Sequence, residues 1–107
     1  MSRVDPVTLA QELVRFDTVN PPGNEAACAE HIGAILEEAG FQVSFHLLAE
    51  GRPSLIARIG GLPDKPALCL TGHTDVVPLG AAEWSFDPFS GEIDRGKLLG
   101  RGSTDMK

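Results

Sequence analysis

The sequence predicts an α/β chain, with helices packed on a mixed sheet. Three observations carry that prediction. Apolar residues recur at helical spacing over two N-terminal stretches. Phe41-Gln42-Val43-Ser44-Phe45 then alternates as a half-buried strand does. Two short apolar runs follow, Ser54 to Ile59 and Ala67-Leu68-Cys69-Leu70, each bounded by proline and glycine. Two helices followed by several strands is an order that suits helices laid on a sheet. At 107 residues the chain is one domain at most, residues 1–107.

In chain order, Asp5-Pro6 opens the first helix, with Asp as N-cap and Pro at the first helical position. Leu9, Leu13 and Phe16 form its apolar stripe. Asn20-Pro21-Pro22-Gly23 interrupts the pattern. Asn24 is the expected cap of a second helix, with Glu25 and Glu30 toward its positive end. Cys28, Ile32, Ile35, Leu36 and Ala39 make the stripe that this helix buries, and Gly40 ends it. Ala67 to Leu70 is expected to be a buried strand. A long connection from Val76 to Gly91 holds Trp84, Phe86 and Phe89, which are expected to anchor it in a groove, with substrate contact by Trp84 as the alternative. Gly91 to Leu99 reads as a hairpin turning at Asp94-Arg95-Gly96.

Composition excludes several functions. The net charge is −6, and the nine Lys and Arg residues are scattered singly, which argues against nucleic acid and against anionic lipid. No apolar run approaches the roughly 20 residues of a membrane helix. The first residues lack a signal-peptide hydrophobic stretch, so a cytoplasmic location is expected. Cys28 and Cys69 form no C-x-x-C pair. Both lie in apolar stretches and are expected to be buried free thiols.

The chemistry concentrates at Gly72-His73-Thr74-Asp75 and at Asp105. On an extended strand, residues two apart share a face, so His73 and Asp75 look the same way, about 6.6 Å apart along the chain. A metal-binding imidazole needs a second group to fix its tautomer, and a carboxylate does this. An isolated His-x-Asp is more often ordinary turn chemistry. The glycines of Gly100-Arg101-Gly102-Ser103-Thr104-Asp105-Met106-Lys107 match no phosphate-binding motif. They permit backbone angles closed to other residues and so present Asp105 at a fixed angle. Thr104 and Asp105 also suit the start of a helix. His31 and His46 have no partnered spacing and read as surface or core histidines.

Taken together, Thr18-Val19-Asn20-Pro21-Pro22-Gly23-Asn24-Glu25, Thr71-Gly72-His73-Thr74-Asp75-Val76-Val77-Pro78, Trp84 with Asp87-Pro88-Phe89, and Gly96 through Lys107 resemble a known family. It is the co-catalytic zinc amidohydrolases and exopeptidases, which include acetylornithine deacetylase, succinyl-diaminopimelate desuccinylase, aminoacylase and glutamate carboxypeptidase. The resemblance covers nearly the whole chain. It implies that His73 binds one zinc, that catalytic Asp75 accepts a hydrogen bond from the other ring nitrogen, and that Asp105 bridges both metals. It also implies a cis peptide bond at Asp105–Met106. Zinc fits the nitrogen and oxygen ligands, with Co²⁺ or Mn²⁺ as substitutes.

The same resemblance implies that residues 1–107 are the N-terminal part of a zinc-peptidase-like catalytic domain, incomplete by themselves. The remaining ligands, the glutamate general base and a lid or dimerisation domain would lie downstream. The full-length protein would cleave the amide of a small N-acyl amino acid or peptide, with a homodimer left open. The 107 residues alone are expected to be inactive, and to be weakly stable because a sheet edge and a core face lie open. The alternative is a non-catalytic remnant, or a module that binds one metal weakly.

Overall fold

A computed structural model describes residues 3–107. Helix α1 spans Pro6–Val14. The Asp5 carboxylate accepts from the Thr8 amide at 2.9 Å and from its hydroxyl at 2.6 Å, the expected cap. Those two bonds favour the ionised form and lower the Asp5 pKa. Helix α2 spans Ala26–Glu38, and Gly40 follows it with φ of +96°. Strands β1 (Gln42–Ala49) and β2 (Arg52–Arg58) form an antiparallel hairpin that pairs Val43 with Ala57 and Phe45 with Leu55. Cys28, Ala29 and Gly33 are the buried positions of α2. Strands β3 (Ile93–Asp94) and β4 (Lys97–Leu98) form a second, smaller hairpin. Its two turn residues, Arg95 and Gly96, both have positive φ, as a two-residue turn of matching twist requires.

The fold is therefore α/β, with both sheets antiparallel. The parallel component is a single bridge, Val19 to Val76. That bridge matters most for the site. The Val76 amide donates to the Thr18 carbonyl at 3.1 Å, and the Asn20 amide donates to the Val76 carbonyl at 2.8 Å. The buried Thr18 hydroxyl donates to the Thr74 carbonyl. Val14, Cys28, Ala29 and Val76 are the buried apolar residues.

Three expectations are corrected. Ala67 to Leu70 is not a buried strand: Leu68 is 85% and Leu70 87% exposed, and among the described residues the run pairs with no neighbouring strand. Apolar character marks a strand only where neighbouring backbone takes up its hydrogen bonds, and no such neighbour lies beside this run among the described residues. Cys69, within the run, is exposed, whereas Cys28 is buried as expected. Asn24 does not cap α2. The N-cap is Glu25, and the Gly51 carbonyl accepts from the Glu25 and Ala26 amides at 3.0 and 3.1 Å. The terminus finds its acceptor in the hairpin turn instead of in a local side chain.

Trp84 and Phe86 pack edge to face, 5.5 Å between centroids. The Trp84 ring donates its N–H to the Leu79 carbonyl, and Arg101 lies over its face. Packing within the connection thus accounts for Trp84. Among the described residues no helix is long and apolar enough to cross a membrane.

The chain is open for its mass. Its accessible surface is 7909 Å², against about 5,800 Å² for a folded monomer of 11.4 kDa. Its radius of gyration is 15.5 Å, against about 13 Å. Leu47, Leu48, Leu62, Leu68 and Leu70 are among its exposed large apolar side chains. Expressed by themselves, residues 1–107 are expected to unfold without a sharp calorimetric transition and to bind a hydrophobic dye at neutral pH. A reversible, cooperative transition of the monomer would contradict this.

Candidate metal site

Two segments with no helix or strand assignment build the site, and each is tied down by backbone bonds. Residues 73–76 hang from the Val19–Val76 bridge. Residues 100–107 dock through the Arg101 amide on the Pro88 carbonyl at 2.7 Å, and the Lys107 amide closes the segment on the Gly102 carbonyl at 2.8 Å. The half-buried Lys107 ammonium donates to the Phe16 carbonyl just beyond α1 at 2.6 Å. Burial lowers its pKa.

These anchors bring His73, Asp75 and Asp105 together. The His73 Nδ1 lies 3.0 Å from the Asp75 carbonyl and 3.1 Å from Asp75 Oδ1. Both partners are acceptors, so Nδ1 carries the proton. The His73 Nε2 faces Asp105 Oδ1 at 3.1 Å. The imidazole pKa is raised, chiefly by the Asp75 carbonyl, with the Asp105 carboxylate adding to it and partial desolvation opposing. The peptide bond Asp105–Met106 is cis, as the resemblance implied. His73 and Asp75 meet outside any strand, so the spacing argument reached the contact without the local structure it assumed.

Asp75 divides its two oxygens. Oδ1 serves His73, while Oδ2 accepts from the Asn20 side-chain amide at 3.2 Å and faces Arg52 at 3.8 Å. Arg52 in turn clasps Glu25, with contacts of 2.8, 3.1 and 3.2 Å. Sequence reasoning missed these three partners. Asn20 and Glu25 lay within a recognised segment, but nothing local singled out Arg52. Of the other histidines, His31 pairs with Glu12 at 2.9 Å beside Phe16, and His46 contacts Ser44. Neither approaches the site.

His73 stands between two hollows. One, of about 270 Å³, is lined by Asn20, Asp75, Arg101, Thr104 and Asp105. The other, of about 850 Å³, is floored by Ile32, Leu36, Leu55, Leu68 and Leu70. Asp105 is 82% exposed at its side chain.

The donor set suits a divalent cation. Two ligands of one zinc in tetrahedral geometry sit roughly 3.3 Å apart, and His73 Nε2 and Asp105 Oδ1 are separated by nearly that. With Nδ1 held by Asp75, Nε2 is the nitrogen that would coordinate on giving up its proton. Among the described residues no group of three or more His, Cys, Asp and Glu side chains could hold a metal. His73 and Asp105 do not by themselves make up such a group.

Comparison with known proteins supplies the remaining context. Residues 69–107 match the model of Peptidase family M20/M25/M40. The chain is 44% identical over 111 residues to the succinyl-diaminopimelate desuccinylase of Rhodospirillum centenum, covering 96% of this chain and 27% of that protein. It is 46% identical over 105 residues to the enzyme of the same name from Cereibacter sphaeroides, again covering 27% of it. The desuccinylase of Ehrlichia ruminantium is 42% identical over 109 residues, with the same share covered. The chain spans about a quarter of the length of the curated relatives it matches.

Proposed function

We propose that this chain, which belongs to the peptidase family M20/M25/M40 as an N-terminal portion of it, contributes His73 and Asp105 to a two-metal centre that hydrolyses the amide bond of a small N-acyl amino acid. The observation that carries this reading is the 3.1 Å approach of His73 Nε2 to Asp105 Oδ1, with the opposite ring nitrogen already engaged. The relatives' printed activity points to an N-succinyl amino acid as the substrate to try first. Zinc is the metal of the proposal, with Co²⁺ or Mn²⁺ as substitutes. A cytoplasmic location and a homodimer belong to the same proposal.

Bound divalent cations would supply Lewis-acid polarisation of the amide carbonyl and lower the pKa of water toward neutrality. The residues of this chain do the holding. Asp75 keeps the proton of His73 on Nδ1, so that Nε2 offers its lone pair. The Asp105 carboxylate has two oxygens and would be able to serve two cations. The loop 100–107 fixes that carboxylate against the ring. By themselves these two donors are too few for tight binding, and residues 1–107 alone are expected to hold one ion weakly and not to turn over substrate.

The test uses the full-length protein of the gene that encodes these residues. It is expected to release succinate from N-succinyl-diaminopimelate when supplied with Zn²⁺ or Co²⁺, and to lose the activity on chelation. A full-length protein that holds no divalent metal, or that hydrolyses no member of an N-acyl amino acid panel, would refute the reading.

A further inference from the structure

We propose that Arg52, seated on Glu25, and Asn20 are positioning residues for Asp75 and, through it, for His73. The inference rests on the metal role assigned above to His73. It gives a task to the segment from Asn20 to Glu25, which the proposed chemistry leaves unused.

A carboxylate that steers an imidazole must itself be held, because a free Asp side chain rotates and offers either oxygen. Here the two oxygens of Asp75 are distinguished by their partners. Oδ2 accepts from Asn20 at 3.2 Å and faces Arg52 at 3.8 Å, which leaves Oδ1 turned to His73 Nδ1 at 3.1 Å. An exposed ion pair at 3.8 Å would organise little by itself. Arg52 is not such a partner. Its guanidinium donates to both oxygens of Glu25, and Glu25 is only 7% exposed. A buried carboxylate binds its cation firmly, because removing that cation leaves an uncompensated charge. The planar fork is therefore held by Glu25, and the Nη2 that donates to Glu25 at 2.8 Å lies 3.8 Å from Asp75 Oδ2.

The backbone is built around this arrangement. The Gly51 carbonyl accepts the Glu25 and Ala26 amides, which fixes the start of α2 beside the start of β2, where Arg52 sits. Gly23 passes close under the guanidinium, and a Cβ there would come within 2.7 Å of Arg52 Cδ and Cζ. The Asn20 amide bonds to Val76, one residue from Asp75, so Asn20 reaches its target from a fixed point. Two side chains distant in sequence, Asn20 and Arg52, thus converge on one oxygen of Asp75.

The test uses the full-length protein and Co²⁺ alone, titrated by its visible ligand-field absorption, together with kcat and KM on the N-succinyl substrate. Arg52→Gln is expected to weaken Co²⁺ binding about 10- to 100-fold, the usual effect of losing an outer partner of a metal ligand. It should change the absorption band and lower kcat while leaving KM within about twofold. Arg52→Lys is expected to fall between wild type and Arg52→Gln. Asn20→Ala covers the case in which Arg52→Gln fails to fold, since the Asn20 side chain bonds only to Asp75 among the described residues. It is expected to weaken Co²⁺ binding several-fold with the melting temperature unchanged. If Asn20→Ala and a folded Arg52→Gln both keep the wild-type affinity and spectrum, the positioning role is refuted and Arg52 is a structural ion pair only. A wild-type protein that binds no Co²⁺ would refute the metal reading itself, and this inference with it.

Discussion

Asp105→Ala in the full-length protein is expected to lower kcat/KM by about 10³-fold or more, with His73→Ala close behind. The reason lies in the donor count. Among the described residues the site gathers one imidazole and one facing carboxylate. Loss of Asp105 removes the group that can serve two cations, whereas loss of His73 removes one ligand of one cation. Asp105→Ala should therefore leave less bound metal than His73→Ala, a difference that elemental analysis of the purified proteins reads directly. Neither change should disturb folding, since both side chains are largely exposed and neither belongs to the core. A variant of either residue with unimpaired turnover would count decisively against the proposed centre. Asp75→Asn is the informative companion. It preserves shape but replaces an acceptor pair with an amide that can donate toward Nδ1, and so frees the ring to flip. Its loss should be smaller and should appear in kcat.

The parts of this arrangement that could be read from sequence are those whose cause is local. Asp5-Pro6 starts a helix because a carboxylate two residues before Val7 can reach the Thr8 amide without help from elsewhere. Arg95-Gly96 turns a hairpin because two adjacent residues accept positive φ. The approach of Asp105 to His73 is not local, and no spacing rule yields it; it comes from resemblance, and the anchors at Pro88 and Phe16 supply its physical reason. The misreadings have a common cause. Ala67 to Leu70 has the composition of a strand, but strand formation belongs to a pair, and the partner is not written in the run. Asn24 has the chemistry of a cap, but the Gly51 carbonyl, far along the chain, takes the amides first. Arg52 looked like any scattered cation because its meaning depends on Glu25, 27 residues earlier, and on Asp75, 23 residues later.

Gly100→Ala is expected to destabilise the full-length protein by about 3 kcal/mol and to weaken metal binding along with it. Two costs combine at this position. The backbone has φ of +148°, which a residue with a Cβ adopts only under strain. The added carbon would also strike Val14 Cγ1 and come within 2.9 Å of the Pro88 carbonyl oxygen. Neither neighbour can yield cheaply. Val14 is a fully buried side chain at the end of α1, and the Pro88 oxygen is already bonded to the Arg101 amide. Relief must come from residue 100 itself, which lies at the base of the loop that carries Asp105. A shift there moves the carboxylate away from His73, so stability and metal affinity should fall together. Gly40→Ala isolates the backbone cost. Its φ is +96°, yet a Cβ would meet nothing within 4 Å, so it should lose only about 1 kcal/mol and leave Co²⁺ binding untouched. If chemical denaturation finds the two substitutions equally mild, the tight seat of the loop against α1 is not what holds Asp105 in place.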